Sequence, residues 1–379
     1  MKPESLFGLA LGITPPWYVK AAEFSVEEGR LDLYLDFERG AHFPCPSCGA
    51  EGAKPYDTSE DTWRHLNYFQ HGTYLHARVP RVHCPRGCGV KRVEVAWARP
   101  DSGFTQLFEA YLMILMREMT VATVAAMVGE HDTRRWRVLR YYVEQARAQE
   151  DFSGVQKVGV DETSSRRGHR YITVFANLER AKVIFATEGK DAPVVAAFIA
   201  GFEEFFPTTQ LTFDKFHVTK ILSDAVDQVR REEQRERPEL KRTRYLWLMN
   251  PDKLKQHQQA ALESLTRLKL KTARAYQLRL TFQDFWELAQ EDAESFLRKW
   301  FFWATHSRLE PMRQATWMVR RHWQGILRWF ISRVTNGVPE AINGLIQAAK
   351  ARARGYRSNR NLIAMTYLVA GKLRMDLPT

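Results

Sequence analysis

Four cysteines in two close pairs constrain this chain more than any other feature. Cys45-Pro46-Ser47-Cys48-Gly49 is one pair, and Cys84-Pro85-Arg86-Gly87-Cys88-Gly89 is the other. Each lies in a turn punctuated by proline and glycine, which lets two thiolates converge on one ion. Four thiolates suit a tetrahedral zinc ion, with Zn–S distances of about 2.3 Å, and leave it no open position for chemistry. A structural Zn²⁺ held by Cys45, Cys48, Cys84 and Cys88 is therefore expected. The plainer alternative is two unrelated reduced pairs. His42, His65 and His83 lie nearby in sequence and are read as ordinary surface histidines rather than ligands.

The chain around the cysteines reads as short strands. Leu31 to Phe37 alternates apolar and polar residues with the period of a half-buried strand, and 73–82 and 91–96 are similar. Residues 1–100 are thus expected to form a small β-rich zinc-binding domain. Helical patterning follows over 101–152. Residues 104–117 gather Leu107, Phe108, Tyr111, Leu112, Leu115 and Met116 on one face, and 120–129 reads as a short helix ended by Gly129. A third helix, 134–145, is capped by Asp132 or Thr133 on this reading. It carries Arg134, Arg135, Arg137 and Arg140 beside Trp136, Leu139 and Tyr142. Two short helices, a glycine turn and a basic third helix suit a helix-turn-helix; a helical hairpin with a solvated basic face is the simpler reading. A net charge of +12 also favours a polyanionic partner, nucleic acid first. There is no secretory signal and no apolar run of bilayer-spanning length, so a cytoplasmic location and no membrane partner are expected.

Composition shifts after residue 152. Val155 to Asp161 reads as a buried strand ending in a carboxylate, and 170–177 and 182–187 supply two more strands. A helix is expected over 192–205, then a strand over 210–213 that ends at Asp214, with Asp191 a further acid in the interval. Three strands, a helix and a strand open an RNase H-like fold, which sets carboxylates at strand ends. Phosphodiester chemistry needs an attacking oxygen activated and a leaving oxygen stabilised, and two Mg²⁺ ions about 4 Å apart do both. Further on, Asn336-Gly337-Val338-Pro339-Glu340 opens a helix with proline near its first position. Glu340, Asn343, Gln347 and Lys350 share one face of it, and Ile342, Leu345, Ile346 and Ala349 the other. Glu340 could equally be a helix-dipole partner. The basic run from Lys350 through Arg352 and Arg354 to Arg357 could be a solvated helix end or could hold phosphates.

Together these residues resemble the ISL-three family of DDE transposases over nearly the whole chain. The likeness rests on the paired cysteines, the helix-turn-helix and Val160-Asp161-Glu162. It rests also on Phe213-Asp214-Lys215-Phe216-His217-Val218, Asn336-Gly337 to Glu340-Ala341-Ile342-Asn343, and Arg354-Gly355-Tyr356-Arg357. The resemblance implies an α+β multidomain chain with an RNase H-like α/β core over 153–214, a helical insertion over 215–335 and C-terminal core helices over 336–379. It implies Asp161 as first catalytic acid and Glu340 as last, and Mg²⁺ as catalytic cofactor. Its implied partners are double-stranded DNA (terminal inverted repeats and target) and a second copy of the chain, in a bacterial, nucleoid-associated setting. Arg134, Arg135, Arg137, Arg140, Lys350, Arg352 and Arg354 are the candidate DNA contacts.

The chain departs from the family pattern in one interval. The family's second catalytic aspartate lies in an Asp-Met-Ser-like motif upstream of the segment matched by Asp214 to His217, and no such motif is present here. The chain runs from Ala192 through Phe198 and Phe202 directly to Asp214, as if roughly two dozen residues, the length of a strand and the start of a helix, were deleted in frame. Two outcomes are open. Asp214 could take the vacant place as metal ligand, or the sheet could lack a strand and cutting be lost, leaving a repeat-binding regulator or remnant.

Overall fold

The computed structural model describes residues 2–166, 170–189, 215–333 and 337–378. The chain forms two compact units. One comprises Met1–Asp151, Ser164–Arg170 and Leu345–Thr379; the other comprises Phe152–Thr163 and Tyr171–Gly344.

The first unit opens with helix α1 (Pro3–Ala10) and strands β1 (Trp17–Ser25), β2 (Arg30–Phe37), β3 (Pro55–Tyr68), β4 (His71–His83) and β5 (Val90–Arg92). The sheet order is β1-β2-β4-β3 with β5 on β4. The alternation in β2 has its expected consequence: Leu31, Leu33 and Leu35 are buried, packed with Trp63, Leu75, Val79 and Trp97. The strand expected over 91–96 stops at Arg92. Val93 N–H still reaches the Pro80 carbonyl at 3.0 Å, but Pro80 has no N–H to return, so the ladder ends there.

Three helices follow, α2 (Gln106–Glu118), α3 (Val121–Val128) and α4 (Asp132–Ala148). Thr105 and Thr120 cap the first two by accepting from Phe108 and Thr123 N–H, and Gly129 ends α3 in the left-handed conformation at φ 69°. The cap of α4 is His131, whose Nδ1 accepts from Thr133 N–H, rather than Asp132 or Thr133.

Strands β6 (Val158–Arg166), β7 (Arg170–Asn177) and β8 (Lys182–Glu188), most of whose residues belong to the second unit, form a three-stranded sheet in that order. β6 begins later and runs five residues beyond Asp161, which sits within the strand instead of at its end. Thr163 and Ser165 continue the period with buried side chains. On hydropathy such hydroxyl residues read as a loop. The expected helix over 192–205 and strand over 210–213, with Asp191 and Asp214, lie outside the described residues.

From 215 to 332 the chain is helical: α5 (Lys215–Glu233), α6 (Arg244–Leu248), α7 (Gln256–Thr266), α8 (Lys271–Asp284), α9 (Gln290–Thr305), α10 (Glu310–Arg321), α11 (Trp323–Leu327) and α12 (Trp329–Ser332), with 3₁₀ turns between some of them. Trp247, Phe282, Phe285, Trp286, Trp300 and Phe330 centre its own apolar cluster. Glu233 accepts from Lys271 N–H, Thr272 N–H and Thr272 Oγ1 at 2.7–2.8 Å, which caps α8. Two further helices, α13 (Gly337–Arg352) and α14 (Asn359–Ala370), complete the fold. No helix among the described residues is long and apolar enough to cross a membrane.

Candidate zinc centre, DNA-binding helices and acidic pair

The four cysteine sulfurs lie within 4.8 Å of one another, the one group among the described residues able to gather three or more metal ligands. Two glycine turns bring them together. Cys45 N–H donates to Ala50 carbonyl and Gly49 N–H to Cys45 carbonyl, with Gly49 at φ 67°. On the other arm Cys84 N–H donates to Gly89 carbonyl and Gly87 N–H to Cys84 carbonyl, with Gly87 and Gly89 at φ 84° and 79°. A side chain at these positive φ values would be strained, so the glycines are part of the geometry. Sulfurs at the corners of a zinc tetrahedron stand about 3.8 Å apart; Cys48 Sγ and Cys84 Sγ are 3.5 Å apart. Arg86 N–H adds a donor to Cys84 Sγ at 3.3 Å, which favours its thiolate. This donor set fits zinc. The histidines stand apart: His42 and His83 are exposed, and His65 bonds Thr105 Oγ1 through Nδ1 at 2.8 Å. Burial and the neighbouring Arg64 charge push the His65 ring down to about 4, so it is neutral at ordinary pH.

The arginines of α4 have different surroundings. Arg134 pairs with Glu130 at 2.8 Å, donates to Gly103 carbonyl and lies over the Phe104 ring at 4.3 Å. Arg135 is buried, and Arg140 donates to Asn361 Oδ1 on α14 at 3.3 Å. Arg137 is exposed. Helix α14 and the turn before it cover another part of α4, with Arg147 over the Tyr367 ring at 4.0 Å and Trp136 edge-on to Tyr356 at 5.8 Å. In the C-terminal basic run, Arg352 donates to Glu118 carbonyl at the end of α2, a favourable place for a cation at a helix C-terminus. Lys350 donates to Ser164 carbonyl at 2.5 Å, and Arg354 is exposed.

In the second unit, Asp161 Oδ2 accepts from Asn343 Nδ2 at 2.6 Å, while its Oδ1 accepts from Glu162 N–H at 2.8 Å. Glu340 and Asn343 are three residues apart on α13 and so neighbours on one face, with Cβ atoms about 5–6 Å apart. Asn343 therefore ties Asp161 to the helix face that carries Glu340. The sequence placed Asn343 on that face but gave it no role; its spacing from Glu340 was the signal. Gly159 permits this approach. A Cβ there would stand 2.5 Å from Leu178 Cδ2 and 2.8 Å from Pro339 Cγ, the latter on a ring that cannot swing aside. Gly159→Ala is expected to destabilise the chain by about 1–3 kcal/mol through overpacking. Thermal denaturation checks this, and an unchanged melting temperature would show that strand and helix do not meet this closely.

Comparison with known proteins adds sequence relationships to this geometry. A family model described as a transposase matches residues 158–203 and 194–366. A helix-turn-helix model of transposase family ISL3 matches 93–143, and a transposase zinc-finger model matches 42–88. The transposase of insertion sequence IS1557 from Mycobacterium tuberculosis is 25% identical over 440 aligned positions, spanning 100% of this chain and 98% of the relative. The transposase of IS1001 from Bordetella parapertussis is 24% identical over 384, spanning 92% and 94%. No solved structure matches significantly.

Proposed function

The chain belongs to the ISL3 family of transposases, and from that premise we propose that it binds the terminal inverted repeats of an insertion sequence without cutting them. The reading assigns it the first and last acids of a DDE centre, Asp161 and Glu340, and no segment carrying the middle one. The observation that carries it is the broken family match, whose two pieces overlap at 194–203. On this reading the overlap marks the place where an interval of the family pattern has been lost. The 440 aligned positions against 379 residues agree in sense with such a gap.

Two-metal phosphoryl transfer uses carboxylates to hold both ions. On this reading the protein keeps the family's DNA recognition and acts as a self-regulator of its element. Arg137 is assigned the α4 contact with DNA, and a pair of chains would bridge the two element ends.

A second reading is favoured by the intact Asp161–Asn343 contact: Asp214 takes the middle place and the chain cuts and joins DNA. Binding tests the recognition common to both. The full chain is expected to retard duplexes carrying its element's ends more strongly than shuffled duplexes, with affinity falling steeply as salt rises. Equal affinity for the two would remove repeat recognition from the account. Strand cutting separates the readings.

A further inference from the structure

The first unit contains a cleft that neither the zinc centre nor the helix-turn-helix explains. It has a volume of about 780 Å³ and is lined by Ser164, Ser165, Arg166, Lys350, Arg354 and Arg357, with Tyr356 and small residues between them. Four of its lining side chains are cationic and none is acidic. Two of the cations are held by main-chain carbonyls, Lys350 on Ser164 and Arg166 on Tyr356 at 3.1 Å. A carbonyl fixes the position of a cation but leaves its charge uncompensated. Burial alone lowers the Lys350 pKa, a cost that a bound anion would offset.

One observation points directly to a ligand. Ser165 is 5% exposed, and its Oγ has no hydrogen-bond partner among the described residues although it lines the cleft. A buried orphan hydroxyl is rare, and a bound ligand would satisfy it. Arg354 follows α13 at φ 54° in the left-handed conformation, where glycine or asparagine would sit with less strain. The Gly355 N–H to Lys350 carbonyl bond, 2.8 Å, marks the helix end.

We propose that this cleft seats the phosphate backbone of DNA, with Ser165 Oγ, Lys350, Arg166 and Arg354 converging on one phosphate group. The inference rests on the DNA-binding reading above. It makes the C-terminal run a sequence-independent clamp beside α4, to which Tyr356 already packs through Trp136. Arg354 and Arg166 then supply charge and register, while base reading stays with the helix-turn-helix.

The test is the salt dependence of binding by the full chain to two duplexes, one with the element's ends and one shuffled. Arg354→Asn suits it, because asparagine tolerates the left-handed position and the melting temperature should stay level or rise. The expected result is a log K against log salt slope shallower by about 0.9 on both duplexes, worth about eightfold in affinity between 1 M and 0.1 M salt. Ser165→Ala should weaken both duplexes alike, by about two- to tenfold. An unchanged slope in a folded Arg354→Asn variant overturns the clamp, as does a loss confined to the element's ends. If instead the wild type fails to prefer its ends while the variant still loses slope on both duplexes, repeat recognition fails and the clamp stands.

Discussion

Replacing Cys84 with serine is expected to abolish zinc binding and melt the two cysteine turns while leaving the five-stranded sheet folded. Cys84 is 1% exposed and lies where β4 hands over to β5, so its sulfur is held firmly by the fold. Serine supplies a hard, protonated oxygen where zinc favours thiolate. Structural zinc binding is worth roughly 10–16 kcal/mol in small finger peptides, and here that energy orders residues 43–53 and 84–89. The effect should stop there because the sheet has a separate core of Leu33, Trp63, Leu75 and Trp97. Metal analysis of the purified chain should fall from one zinc per chain to none, with far-ultraviolet circular dichroism showing the strands retained. A Cys84→Ser chain that keeps its zinc would mean that the ligand set is not the four cysteines.

Arg99→Met should destabilise the first unit by about 3–5 kcal/mol, the penalty for leaving a buried charge without its partner. The Glu109 side chain is fully buried in α2 and accepts from Arg99 Nε at 2.8 and 3.0 Å and from Ser102 Oγ at 2.6 Å. This pair joins the segment leaving the zinc domain to the first helix of the DNA-binding motif. With Arg99 gone, the neutral hydroxyls of Ser102 and Tyr142 cannot balance the carboxylate's charge. The double variant Arg99→Met, Glu109→Leu removes both charges and should recover most of the loss, since two apolar side chains can fill a buried ion pair's place. Denaturant unfolding of the single and double variants measures the difference. A single variant as stable as the parent would show that the carboxylate reaches solvent.

Local features were legible in the sequence. The zinc ligands announced themselves because each pair sits in its own turn, and β2, α2 and α3 because period and caps are written within a few residues. Arg135 carried a signal that the clustering of arginines hid. It lies three and four residues before Val138 and Leu139, both buried, so it belongs on the apolar stripe of α4. Arg134, Arg135, Arg137 and Arg140 cannot share one face of that helix, and Arg137 is the exposed one among them. The extension of β6 past Asp161 was hidden for another reason: Thr163 and Ser165 are buried by their neighbours rather than by their own hydropathy. Pairings across long separations, Arg99 with Glu109 and Asp161 with Asn343, arise only when the chain folds. Asp161 and Glu340 were singled out through their motifs, and they lie on β6 and α13.

The most direct measurement is strand cutting by the full chain on duplexes carrying its element's ends, in Mg²⁺ and in Mn²⁺, at concentrations where retardation shows the DNA bound. The account predicts bound and intact DNA, with Asp161→Asn and Glu340→Gln indistinguishable from the parent. Metal-dependent nicks at the element's ends that both substitutions abolish would contradict it and establish Asp214 as the leading candidate for the middle acid of a working centre.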